Sequence, residues 1–290
     1  MPGATVNAVL YDVALTAYII ATALSFAYLV GRREGFWRVS VLMTQAGWVC
    51  HTVALAVRAV ELGRPPLATL PEAVSLVIWV AVLLELWAER QYRIKVLGAF
   101  VLPVVLMLGL ALPTGLRALV LLPSNRSAWI WIHVALALLG LAALILNFAG
   151  AVMYILQERQ LKAKRPGAFY YRLPPLETLD RLTYRALTIG FPFLTAGLLM
   201  GALWAGGSSG RVTFDPLTVF SIVMWVVYAV TLSGRALGAW RGRRAAYFAI
   251  LGFCALLMVE ALTGIRRAGA DIIITYFAKE LARLIEQGRA

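Results

Sequence analysis

AWIWIHVALALLGLAALILNFAGAVMYIL, residues 128–156, contains no acid, no Lys and no Arg, and His133 is its one basic side chain. A bilayer core is crossed by about 20 apolar residues in a helix. This stretch is long enough to span one and too apolar to stay in water. Comparable runs, nearly free of charge, lie at 8–30, 39–57, 96–112, 186–206, 216–233 and 245–263. Over all 290 residues the apolar fraction is 61% and the charged fraction 14%, with mean hydropathy +0.81. Soluble chains run at about 45–50% apolar and about 25% charged. The sequence is that of a polytopic membrane protein, which excludes soluble enzymes, secreted domains and nucleic-acid binders.

With a shorter segment at 72–88, the runs make eight spans in a single all-α bundle over residues 1–264. No Lys or Arg precedes the first run, so it reads as a retained helix rather than a cleaved signal. The net charge of +13 invites a nucleic-acid reading, but its distribution points elsewhere. Of 27 Lys and Arg, 17 fall in the connections after spans one, three, five and seven, and only nine on the opposite side, tail included. Basic connections stay cytoplasmic, so both termini are expected outside and the long 157–185 segment inside. In the tail, 265–290, Ile273, Phe277, Leu281 and Leu284 recur at helical spacing against Lys279, Glu280, Arg283 and Glu286. That pattern is an amphipathic helix on the outer interface or a cover for the bundle mouth. Cys50 and Cys254 sit in apolar runs and read as small buried apolar residues.

Ionisable groups inside a bilayer are costly and are functional candidates by default. They are Asp12, His51, Arg58, Glu85, His133 and Glu260. At about 1.5 Å per residue, His51 lies roughly 13 Å and His133 roughly 8 Å below the outer ends of their spans. Neutral imidazole is a good axial ligand for haem iron, and a helix bundle can hold a porphyrin. Trp48, Trp129, Trp131, Trp204 and Phe214 lie near the outer ends, where they would pack on a macrocycle. Arg64, Arg126 or Arg211 would pair with its propionates. The competing reading for each histidine is a hydrogen bond between helices, and for the tryptophans an ordinary interfacial belt. Arg58 and Glu61 suit a local ion pair, Glu85 is placed to reach cytoplasmic water, and Glu260 suits a helix-to-helix hydrogen bond or a proton relay. Zinc or copper would need more His or Cys than the chain has. There is no GxSxG, Walker loop, HExxH or CxxC, so covalent catalysis is not expected.

The stretch 173–205, LPPLETLDRLTYRALTIGFPFLTAGLLMGALWA, resembles the core of the CcsA-type cytochrome c assembly proteins, most nearly their short HemX-like branch. The likeness continues through Asp215-Pro216, WVVYAVTLSGR (225–235) and AWRGRRAAYFAILGF (239–253). Upstream, GRPPLATLPEAVSLVIW (63–79) and WIWIHVALALLGLAAL (129–144) stand at counterpart positions. The resemblance implies eight helices that handle haem at the outer face and pass it to apocytochrome c. It implies a haem-ligand role for His133, followed by Val134 as in the family, and a porphyrin cradle in the loop that ends at Asp215. That loop, GGSSGRVTFDP (206–216), keeps Asp215 and one aromatic, Phe214, but lacks the family's tryptophans. Ser233 stands where the family has a histidine, and no His follows residue 133.

Residues and resemblance together lead to a bacterial plasma-membrane protein that binds or positions haem (haem b) for cytochrome c maturation or haem homeostasis. The expected ligands are His133 and His51, with Asp215, Trp129, Trp204 and Phe214 around the porphyrin. Its expected partners are other cytochrome c assembly proteins or apocytochrome c, and the bilayer. Two alternatives remain open here. One is a HemX-type regulator of tetrapyrrole synthesis without haem, meeting glutamyl-tRNA reductase through the 157–185 segment. The other is a solute transporter with Glu85, Glu260 and Arg58 as a polar path.

Overall fold

A computed structural model describes residues 2–67, 69–110, 128–163, 170–209, 216–238, 240 and 242–267. Among these residues the chain forms eight helices and no strand: α1 (Pro2–Gly31), α2 (Glu34–Leu62), α3 (Leu70–Tyr92), α4 (Gly98–Leu110), α5 (Ala128–Lys162), α6 (Leu176–Ser209), α7 (Pro216–Ala236) and α8 (Arg243–Arg267). Segments Val6–Gly31, Glu34–Leu62, Pro71–Tyr92, Trp131–Lys162 and Leu176–Leu203 are each long and apolar enough to cross a membrane. The apolar helices Gly98–Leu110 and Ser221–Ala236 are shorter. The C-terminal tail, 268–290, lies outside the described residues.

The helices outrun the apolar runs. The 157–185 segment, expected as a loop, is helical at both ends, as the close of α5 and the start of α6. Hydropathy marks only the lipid-immersed part of a helix. Beyond it the helix continues on side-chain pairs one turn apart: Lys162 with Glu158 at 2.6 Å and Arg181 with Glu177 at 2.9 Å.

α3, α4 and α5 form the centre, where Ile78, Ile94, Leu97, Leu102, Ile145 and Met153 are buried. α1 and α2 pack together on one side, and α5 and α6 pair along their lengths. α7 leans on α6 and α8, and α8 on α5. Lipid tails are as apolar as leucine, so helices in a membrane associate through close backbone approach and polar bonds rather than through the hydrophobic effect. The α5–α6 pair uses both. Gly140 abuts the backbone of Leu194 and Gly190, Gly197 abuts Ala137, and Asn147 Nδ2 donates to the Thr183 carbonyl at 2.7 Å.

The start of α3 is tied to the end of α2. Thr69 and Glu72 close a capping box, in which each side chain satisfies a backbone N–H at the helix start. Buried Glu72 accepts two bonds from the Arg64 guanidinium, at 2.9 and 3.2 Å, and faces Arg58 at 3.5 Å. The expected Arg58–Glu61 pair is present at 3.8 Å, but Glu72 is the hub. Arg64→Ala removes the nearer of the two guanidinium groups facing this carboxylate. A charged hydrogen bond of this kind is worth about 1.5–3 kcal/mol. A thermal melt should register a loss of that order, and an unchanged melting temperature would show that the pair is only superficial.

Candidate functional site

His133 lies in the first half of α5, facing α6. Its Nδ1 is 2.6 Å from the Gly197 carbonyl oxygen. A carbonyl only accepts, so Nδ1 carries a proton, and the tautomer this selects for the uncharged imidazole has its lone pair on Nε2. Among the described residues Nε2 makes no hydrogen bond, and the side chain is only half-buried. Gly201 makes room for the ring: a Cβ there would stand 2.7 Å from Cε1 and 3.0 Å from Nδ1. Trp129, one turn before His133, is exposed, and Trp131 packs against the core. Trp204 is in α6, three residues past Gly201. Phe214 and Asp215 lie outside the described residues, as do Arg126 and Arg211.

His51 stands in a different setting. It is 1% exposed, enclosed by α1, α2 and α3. Nε2 is 2.8 Å from the Ser75 hydroxyl and Nδ1 3.4 Å from the Tyr18 hydroxyl. Tyr11 meets the ring edge-on, with centroids 5.4 Å apart. The neighbouring indoles are also committed. Trp48 stacks on Trp79 and donates to its carbonyl at 3.1 Å, while Trp79 donates to Thr52 at 2.8 Å. The structure therefore does not bring the two histidines together. His133 bonds to α6, and His51 to α1 and α3.

Iron takes an imidazole through an unprotonated nitrogen whose partner nitrogen is fixed by a hydrogen bond. His133 meets that requirement with Nε2 unengaged and Nδ1–H held by Gly197. His51 meets it only by releasing Ser75 or Tyr18. Arg64, a candidate propionate partner, is occupied by Glu72.

Other readings change as well. Glu85 does not reach water: it is buried on α3 against Glu89, Ser25 and Gly98, because α3 is the central helix and not a peripheral one. Arg58 is held by Glu61 and Glu72. Arg58 and Glu85 thus have separate partners and do not line one path. Glu260 is in α8, and its side chain is not among those described. Cys254 lies on the outside of α8 and not within the bundle.

Gly197 and Gly201 were not singled out in the sequence, although their spacing is the small-xxx-small pattern of closely packed membrane helices. What that pattern leaves unsaid is that the facing residue is a histidine.

Compared with family models, residues 67–265 match the one described as cytochrome C assembly protein. The chain belongs to that family. Among its relatives is a cytochrome c biogenesis protein CcsA of Guillardia theta, 31% identical over 70% of this chain and 74% of the relative. A protein of the same name from Synechococcus sp. (strain RCC307) is 30% identical over 82% and 86%. The one from Pyropia yezoensis is 27% identical over 76% and 82%. Residues 251–284 also match a model of delta-aminolevulinic acid dehydratase, a span far short of half the chain. Family and apolar helices agree on a multi-pass membrane protein.

Proposed function

We propose that this chain handles haem for cytochrome c maturation and that His133 binds the iron through Nε2. The observation that carries this reading is the Nδ1–Gly197 bond, which fixes the tautomer, orients the ring and leaves Nε2 unengaged among the described residues. When bound, haem would supply a coordinated iron and a porphyrin edge open to a partner. The chain's own part is to hold and expose it. Gly197 keeps the proton on Nδ1 and Gly201 clears space for the ring, and Trp129, Trp204, Phe214 and Asp215 are the further residues that would hold the porphyrin. His51, held by Ser75 and Tyr18 apart from His133, would serve as a ligand only by releasing one of them. The bilayer domain is 1–264, with 265–290 as an interfacial tail. By the distribution of basic residues the site lies in the outer half of the membrane, with both termini outside, and the membrane in this proposal is a bacterial plasma membrane. The partners are other cytochrome c assembly proteins or apocytochrome c, and the cofactor is haem b.

The test is the absorption spectrum of the detergent-purified protein, oxidised and reduced. A haem band present on isolation or gained on adding haem supports the proposal. A protein that shows none after haem is supplied overturns it. A finer test is Gly201→Ala. The added methyl would stand 2.7 Å from the His133 ring, and overpacking of this kind costs about 1–3 kcal/mol. The ring must shift to admit the methyl, and that shift strains its bond to Gly197. The expected result is a folded protein with a shifted or weakened haem band. A spectrum identical to the parent's would mean that ring placement at Gly201 is irrelevant to binding.

A further inference from the structure

A second polar cluster lies where α1 turns into α2 and α3 into α4, at the end of the bundle marked by Arg32, Arg33 and Arg93. Glu85 and Glu89 are one turn apart on α3, 1% and 9% exposed, a spacing that sets two buried carboxyls side by side on one helix face. Trp37 Nε1 donates to Glu89 Oε1. Glu85 Oε2 is buried and has no hydrogen-bond partner among the described residues. The nearby hydroxyls are already engaged: Ser40 donates to the Ala21 carbonyl at 2.9 Å, which makes Ser25 the donor in the 2.7 Å Ser25–Ser40 bond.

Two ionised carboxylates buried side by side repel each other, and with one in the acid form its O–H can donate to the other. An unpartnered Oε2 is also better tolerated as the carbonyl oxygen of an acid than as part of a buried anion. Neither carboxyl has an ion pair among the described residues, although the cations Arg32 and Lys95 lie near Tyr28, which also neighbours Glu89. α1 presents Tyr18 and Tyr28, and α2 presents Glu34. Lys95 is bound to Glu34 at 2.7 Å and lies over the Trp37 ring at 4.5 Å. α4 has no titratable side chain, and Tyr154 of α5 has Glu158, Asp180 and Arg235 for its charged neighbours. No group of three metal-ligating side chains occurs among the described residues.

We propose that Glu85 and Glu89 form an intramembrane proton-binding site, holding one exchangeable proton between two carboxyls and reached from water past Trp37. The ligand is a proton, bound without a metal ion, and the site is independent of haem. Its carboxyls take up and release that proton at the end of the bundle away from the one His133 serves.

Infrared spectra of the full chain in lipid nanodiscs test this. The expected signal is the carbonyl stretch of a buried carboxylic acid, shifted in D2O and lost in both Glu85→Gln and Glu89→Gln. Labelling of the unmodified chain by dicyclohexylcarbodiimide, read by peptide mass spectrometry, avoids any folding defect in the variants. The label should appear on Glu85 or Glu89 with or without sodium. A band that does not exchange in D2O, a band that survives in Glu85→Gln, or label that sodium abolishes would each overturn the proposal. The last outcome would identify a cation site instead.

Discussion

Replacing His133 with alanine is expected to abolish the haem band of the purified protein while leaving it folded. The substitution removes the imidazole whose Nε2 is unengaged among the described residues and deletes one bond, Nδ1–H to the Gly197 carbonyl. A neutral hydrogen bond at a half-buried position contributes about 0.5–1.5 kcal/mol net, a loss that a bundle of eight helices absorbs. His51→Ala should behave in the opposite way. It strips the Ser75 and Tyr18 hydroxyls of their partner in a closed space between three helices. Leaving buried polar groups unsatisfied costs about 1–3 kcal/mol, and the vacated ring leaves a void besides. The melting temperature should fall while the band persists. Spectra and melts of the two variants side by side decide the question. If His51→Ala loses the band and keeps its melting temperature, His51 is the ligand and the argument from ring-nitrogen engagement is wrong.

Gly140→Val should be the most damaging single substitution in the membrane domain. A Cβ at Gly140 would lie 2.8 Å from the Leu194 backbone nitrogen, 3.1 Å from its Cα and 3.2 Å from the Gly190 carbonyl oxygen. None of these atoms can rotate away, so α5 and α6 must separate. Even alanine should cost about 1–3 kcal/mol, and valine adds a branched side chain to the same gap. Separation also stretches the Asn147–Thr183 and His133–Gly197 bonds, which depend on the same spacing. Gly35→Ala is the control, because its Cβ would meet nothing within 4 Å and alanine favours a helix by about 1 kcal/mol. The variants should be compared by size-exclusion profile and thermal aggregation in one detergent. A Gly140→Val protein as monodisperse and heat-resistant as Gly35→Ala would mean that the α5–α6 contact does not hold the bundle together.

These substitutions mark the division between what sequence and structure each reveal. The helices were legible because transfer from water to lipid depends on the residue alone, so 128–156 declares a membrane helix wherever its neighbours lie. The charged ends were legible only in part. Residues 176–185 are helical through pairs such as Arg181–Glu177, which hydropathy does not register. Both histidines were visible as the chain's only two, and each could be read as a ligand or as an interhelical bond.

The tertiary structure decided how those two differ. It put a carbonyl on one nitrogen of His133, and a hydroxyl on each nitrogen of His51. It also turned Glu85, expected at the water, into half of a buried carboxyl pair. The physical reason is the same in both cases. In lipid, an apolar side chain gains nothing by facing another helix instead of an acyl chain. The apolar pattern therefore sets how much of each helix lies in the membrane and says little about which face meets which neighbour. That choice rests on close contacts and polar bonds between residues far apart in the chain, such as Gly201 beneath His133 and Trp37 on Glu89.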